Sequence, residues 1–143
     1  MYINQISIFI ENKPGNLAKV TKFLAENDID IRAFEIADSS DYGIIRIIVD
    51  KPYDTLTLLK DNDWVCNLTQ VIGIKIADKP GGMAAVLNVL SDENISIDYA
   101  YTFVTRKTDD ALMIFRVQEN EKVSSLLNKN GFKLVAQEDL KNL

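Results

Sequence analysis

Ile6, Ile8 and Ile10 alternate with Ser7 and Phe9 at the start of the chain, the period-two pattern of a strand with one buried face. Leu17, Val20 and Leu24 then fall at i, i+3 and i+7, which predicts a helix with one apolar side. Both patterns return later, as Ile72, Ile74 and Ile76 and as Met83, Val86 and Leu90. Beyond each helix, Ile31 to Ala37 and Ile97 to Val104 alternate as strands. "IIRIIV" from Ile44 and "LMIFRV" from Leu112 follow as further strands. The polar stretches "DSSDYG" and "TRKTDD" between them read as hairpin turns. A shorter helix is predicted at Asp54 to Lys60, with Leu56 and Leu59 inside and Asp54 as its cap. Its counterpart runs from about Glu121 to Asn128, with Val123, Leu126 and Leu127 inside. Trp64 and Phe132 then lead into last strands, Val65 to Leu68 and Lys133 to Gln137.

The recurrence is a duplication. Residues 10–31 and 76–97 align without a gap over 22 positions, and nine are identical: Ile10, Lys13, Pro14, Gly15, Ala18, Val20, Leu24, Ile29 and Ile31 against their counterparts 66 residues on. From "IIRIIV" onward the offset is 68, because the second hairpin loop has gained two residues. Each copy reads strand, helix, strand, strand, helix, strand. Right-handed crossovers turn that order into a ferredoxin-like layer, so the expected class is α+β: two tandem βαββαβ units, each an antiparallel sheet with its helices on one face. The expected boundaries are residues 1–68 and 69–143. "CNLTQVIGIKI" passes from last strand to first strand with no flexible linker between the copies.

Composition narrows the function. Of 143 residues, 47% are hydrophobic and 26% charged, and no apolar run approaches the roughly 20 residues of a membrane span. "MYINQISIFIEN" opens as a strand and not as a signal peptide, which reads as a cytoplasmic protein. The 16 basic residues are scattered among 21 acidic ones, for a net charge of −5, so neither nucleic acid nor an anionic membrane is an expected partner. Cys66 is the only cysteine and there is no histidine. Internal disulfides, multi-cysteine metal sites and histidine-based acid–base catalysis are thereby excluded. No enzyme, cofactor or metal is expected.

Candidate chemistry sits in the repeated turns. Pro14-Gly15 and Pro80-Gly81 end a strand and open a helix, with proline suited to a first helical turn and glycine to close backbone approach. Such a turn presents backbone N–H groups at a helix N-terminus, where an anion such as an α-carboxylate gains about 0.3 to 1 kcal/mol, and up to about 2 when partly buried. A β-carbon at either glycine is expected to intrude where ligand and backbone meet.

"ENKPGNL" and "ADKPGGM", each between an apolar strand and an amphipathic helix, with "NDIDI" and "ENISI" at matching spacing before the second strand, resemble the ACT domain family of small-molecule regulatory modules. The resemblance covers essentially the whole chain, twice. It extends to free-standing tandem ACT proteins that bind amino acids and, more distantly, to small regulatory subunits of acetolactate synthase. What it implies is an amino acid held between paired units by the first strand-to-helix loop: Asn12, Lys13, Pro14, Gly15, Asn16 and Leu17 in one copy, Asp78, Lys79, Pro80, Gly81, Gly82 and Met83 in the other. Asp30 and Ser96 match a position that, in some members, reaches across from the neighbouring unit. Asp78 can pair with an α-ammonium group whereas Asn12 can only hydrogen-bond it, so the two sites are not expected to be equal. The implied partners are a small-molecule ligand, a second copy of the chain and a regulated enzyme.

Other features carry blander readings. Lys13 and Lys79 lack the glycine-rich loop of a nucleotide cradle. The carboxylate pairs Asp61/Asp63, Asp109/Asp110 and Glu138/Asp139 fall in turns or the tail, without calcium-loop spacing. Tyr99, Tyr101 and Phe103 share one strand face and read first as core or interface. The central strands lack the basic-glycine-aromatic pattern of RNA-recognition modules. The alternative to an amino-acid sensor is an interaction module that regulates a biosynthetic enzyme, with purely structural turns.

Overall fold

The computed structural model describes residues 1–38, 42–103, 105 and 110–143. The chain forms two compact units, one of Asn4–Thr69 and one of Gln70–Leu143 together with Met1–Ile3. Residues 39–41 and 106–109, with Asp109, half of the first expected hairpin turn and most of the second, lie outside the described residues, as does Val104, the expected end of a strand.

In the first unit, β1 (Ile3–Glu11) leads to α1 (Asn16–Glu26), then β2 (Ile31–Asp38), β3 (Tyr42–Val49) and α2 (Pro52–Asp61). β3 lies antiparallel between β1 and β2, with Ile8 opposite Ile45 and Phe34 opposite Ile47. β4 (Val65–Ala77) also pairs with β1. Ile6, Ile8, Ile45, Ile47 and Val49 meet Val20 and Leu24 of α1 and Leu59 of α2 in one buried cluster. The alternation of strand residues and the 3.6 period of the helices thus converge on one core. On the opposite sheet face the Arg46 guanidinium donates to the Glu35 carboxylate at 2.8 Å, across a directly paired position of β2 and β3.

The second unit repeats the plan with α3 (Gly82–Asp92), β5 (Tyr99–Phe103), β6 (Asp110–Arg116), α4 (Asn120–Lys129) and β7 (Lys133–Val135). β4 pairs antiparallel with both β6 and β7, and β5 pairs with β6. Ile72, Ile74, Met113 and Phe115 form a core with Val86, Leu90, Val123 and Leu127. The two predicted strands Val65–Leu68 and Ile72–Ile76 are therefore parts of one 13-residue strand. Among the described residues, no helix is long and apolar enough to cross a membrane.

Several boundaries differ from expectation, each for a local reason. Asp54 is not the cap of α2: Pro52 occupies the first helical position, where its missing N–H is not needed, and Asp54 sits in the first turn. β5 begins at Tyr99, two residues after Ile97, although Ile97 still packs on the core. Gln137 does not extend β7. A short 3₁₀ helix, Gln137–Asn142, follows instead, anchored by the Ala136 N–H donating to the Asp139 carboxylate at 2.8 Å and by buried Leu140.

Among the described residues, all four α-helices end alike. Asp28, Asp63, Asn94 and Gly131 each take a left-handed conformation just past the helix. The next residue's N–H reaches back to the helix, from Ile29 to the Leu24 carbonyl, Trp64 to Leu59, Ile95 to Leu90 and Phe132 to Leu127. This is the Schellman arrangement, in which the residue after the left-handed one also packs on the residue it bonds. It fixes Trp64 and Phe132 at the same place in the two units.

Candidate functional site

The repeated turns are built from one local device. Pro14 and Pro80 lie before their helices and not in the first helical turn. They are the second residues of tight turns closed by the Asn16 N–H donating to the Lys13 carbonyl at 3.2 Å and the Gly82 N–H to the Lys79 carbonyl at 3.0 Å. Gly15 and Gly81 occupy the third position with φ of 88° and 89°. Proline and then glycine at those positions is the type II turn, whose third residue must take positive φ. The glycine is required by backbone conformation, since a Cβ built on either would meet nothing within 4 Å. Open space lies over both glycines, so no protein atom would obstruct a side chain there.

Each turn glycine then serves as the N-cap of its helix, with no side chain bonded to the helix end and no acidic residue in the first turn. The first intrahelical bond is made by the Lys19 N–H to the Gly15 carbonyl, and by Ala85 to Gly81. Helix geometry leaves the preceding first-turn N–H groups without intrahelical partners. The result is two exposed, positively polarised helix ends.

The two sites differ in what surrounds them. At the first, the Asn12 amide donates to the Asp38 carboxylate at 3.2 Å, and Lys13 Nζ lies 2.7 Å from the Glu11 carboxylate. That hydrogen bond, and then the attraction of opposite charges, lowers the Glu11 pKa and raises that of Lys13. Asp38 was not evident from sequence because it lies 26 residues from Asn12. At the second, Ala77 replaces Glu11, and among the described residues neither Asp78 nor Lys79 joins an ion pair. Asp78 and Lys79 therefore offer both charges of a zwitterion's partner set. The helix starts differ too. Asn16 donates its amide to the Glu11 carbonyl at 2.8 Å, whereas a Cβ on buried Gly82 would fall far inside 3.0 Å of the Ala77 carbonyl oxygen. Leu17 is half-buried and packs on the core of its unit, while Met83 is exposed.

Asp30 and Ser96 stand elsewhere. Each follows the C-terminal end of the helix that its turn begins, and an 11-residue helix is about 16 Å long. A single unit therefore does not bring either residue to its own turn. Asp30 is exposed, with a carboxylate oxygen 3.9 Å from Nε of largely buried Arg32. Ser96 lines a groove of about 390 Å³ with Leu87, Ser91 and Asn94. A larger groove, of about 600 Å³, lies along the second half of α1. Tyr99 and Tyr101 stack with ring centroids 6.5 Å apart. Among the described residues, no three His, Cys, Asp or Glu side chains converge on a point that could hold a metal ion.

Comparison with known proteins follows the same outline. The sequence pattern of the ACT domain pair family matches residues 1–143. The crystal structure of protein BT0572 from Bacteroides thetaiotaomicron is 38% identical, with a TM-score of 0.90 over 100% of this chain and 98% of that one. The regulatory subunit of aspartate kinase from Thermus thermophilus, in its ligand-free form, is 17% identical with a TM-score of 0.61, covering 87% and 88%. The corresponding subunit from Thermus flavus is 16% identical with a TM-score of 0.56, again covering 87% and 88%. These two show a shared fold. No curated protein matches the chain.

Proposed function

The chain belongs to the ACT domain pair family, and from that premise we propose that it is a non-catalytic regulatory protein that binds a small metabolite, an amino acid, at its strand-to-helix turns. The observation that carries this reading is the second turn. An uncapped helix end there adjoins Asp78 and Lys79, with open space over Gly81. The α-carboxylate would take the helix N–H groups and the α-ammonium would take Asp78. The first turn, with Asn12 engaged by Asp38 and Lys13 by Glu11, is the weaker of the two. A residue at the place of Asp30 or Ser96 in a second copy of the chain would complete the enclosure.

Binding would favour the state that closes around the ligand, and the response would be limited by the difference in affinity between open and closed states. The output would go to a second copy of the chain or to a regulated enzyme; the two Thermus neighbours are named as regulatory subunits of one enzyme, aspartate kinase.

The test is thermal unfolding of the protein with each common amino acid. A ligand at about 100 times its Kd adds roughly 2.7 kcal/mol, which raises the midpoint by several degrees for a chain of this size. One amino acid giving that shift, with the shift reduced in Gly81→Ala, supports the reading. No shift from any amino acid rejects it. The second reading, an enzyme-regulating interaction module with structural turns, is favoured by Phe34 and Ile36, which are 39% and 47% exposed on β2. It predicts an enzyme partner retained equally with and without amino acids.

A further inference from the structure

The two copies allow a comparison within one molecule. What both keep is what the fold requires, and what one copy alone carries is free for another use. One such difference lies in the groove of about 600 Å³ between the second half of α1 and the turn from α2 into β4. That volume is within the range of small-molecule sites.

Its apolar side is made by Phe23 and Trp64, with ring centroids 6.0 Å apart and planes at 48°. Lys19 Nζ lies 5.9 Å from the Trp64 ring. A lysine over an indole is common by itself, but here it borders a groove that also carries Asp63. Lys22 and Glu26 pair with each other along α1 at 3.8 Å. Among the described residues, Lys19 and Asp63 form no ion pair, which leaves one cation and one anion at the groove.

The second unit keeps an acid, Asp92, for Glu26 and the same amide, Asn130, for Asn62, but not the rest of the set. Ala85 stands for Lys19, Asn88 for Lys22 and Val89 for Phe23, while Gly131 stands for Asp63 and Phe132 for Trp64. The position of Asp63 and Gly131 is the left-handed residue that ends the helix, with φ of 65° and 81°. Glycine takes that conformation without strain, and aspartate and asparagine enter it more readily than other residues with a side chain. Asp28 and Asn94 take it after α1 and α3, so the position admits a polar side chain, and in the first unit it brings Asp63 to the groove.

We propose that this groove is a second binding site, found only in the first unit and independent of the strand-to-helix turns, for an α-amino acid with a bulky apolar side chain. The ligand carboxylate faces Lys19, its ammonium faces Asp63, and its side chain lies against Phe23 and Trp64.

Trp64 is the only tryptophan of the chain, so indole emission reports on this groove alone. The full chain is titrated with L-phenylalanine and with L-leucine, exciting the indole selectively. The expected result is a saturable change in emission. Affinity falls about tenfold or more, the loss of one charge-assisted bond, in both Lys19→Ala and Asp63→Gly. These variants install the residues that the second unit already folds with, so loss of folding does not confuse the result. L-serine, which has the charges without the apolar body, gives no response. Gly81→Ala leaves the titration unchanged, which separates this site from the turns. No saturable response overturns the proposal. So does a response that survives both groove substitutions, or one abolished by Gly81→Ala.

Discussion

Gly81 and Gly82 are neighbours that should fail for opposite reasons. At Gly81 the backbone has φ of 89° and nothing lies within 4 Å of an added Cβ, so alanine meets strain and no clash. That strain is about 1 to 2 kcal/mol. At Gly82, where φ is not positive, the added Cβ would press on the Ala77 carbonyl, with its oxygen far inside 3.0 Å and its carbon at 3.1 Å. Because the obstacle is backbone, relief requires moving the start of α3 away from the end of β4. Overpacking of this kind costs about 1 to 3 kcal/mol. The movement also weakens the Gly82–Lys79 and Lys79–Ala77 turn bonds, of 3.0 and 2.9 Å, each worth about 0.5 to 1.5 kcal/mol.

Gly82→Ala should therefore destabilise by about 3 kcal/mol. An unfolding entropy near 2.1 cal/mol/K per residue makes about 0.3 kcal/mol/K for this chain, so the Tm should fall by about 10 °C, against about 3 to 6 °C for Gly81→Ala. Asparagine separates the causes. It visits the left-handed region readily, so Gly81→Asn should be milder than Gly81→Ala. At Gly82 it should be no better than alanine. Calorimetric or circular-dichroism melts of the four variants decide the matter. A Gly82→Ala protein melting with the wild type, or asparagine outperforming alanine at Gly82, would refute the reasoning.

The pH behaviour of the first turn follows from the Glu11–Lys13 pair. A lowered Glu11 pKa stabilises the folded chain above the unfolded carboxylate's value, and the effect is lost as pH falls through the folded one. A raised Lys13 pKa stabilises below the unfolded lysine's value, and is lost as pH rises through the folded one. The pair is thus intact between those limits, and added salt should shrink both shifts because both groups are exposed. NMR titration of the side chains, with Glu11→Gln returning Lys13 to its ordinary value, checks this; a Glu11 that titrates unshifted in low salt contradicts it. Asp139→Ala should lower stability by about 1 kcal/mol through loss of the Ala136 bond. Hydrogen exchange at the Ala136 amide should quicken, and unchanged protection there would show that the carboxylate does not hold the 3₁₀ helix.

Much of the architecture was legible because it depends on short-range periodicity. Ile6, Ile8 and Ile10 alternate wherever the chain goes, and Leu17, Val20 and Leu24 share a helix face by spacing alone. The duplication then corrected for noise, since each weak signal appeared twice. Helix ends were less legible. Only Gly131 announces a left-handed residue, while Asp28, Asp63 and Asn94 take the same conformation because the Schellman bonds and the contacts beneath them enforce it. Proline misled at Pro14, which looks the same in sequence whether it opens a helix or precedes the glycine of a type II turn.

The sequence by itself determined the repeat, the element order, the buried faces and the two glycine turns, because each is set by residues within a few positions of one another. Tertiary structure decided what each turn has around it. Asp38 reaches Asn12 only because β2 returns beside β1's neighbour β3, and Ala77 excludes a side chain at Gly82 only because the strand end approaches the helix start. It also decided where Trp64 stands. The end of α2 and the second half of α1 are some 40 residues apart in sequence, and only packing on a common core brings Phe23, Lys19 and Trp64 to one groove. Local spacing sets which way a side chain points, but chain return sets what it meets.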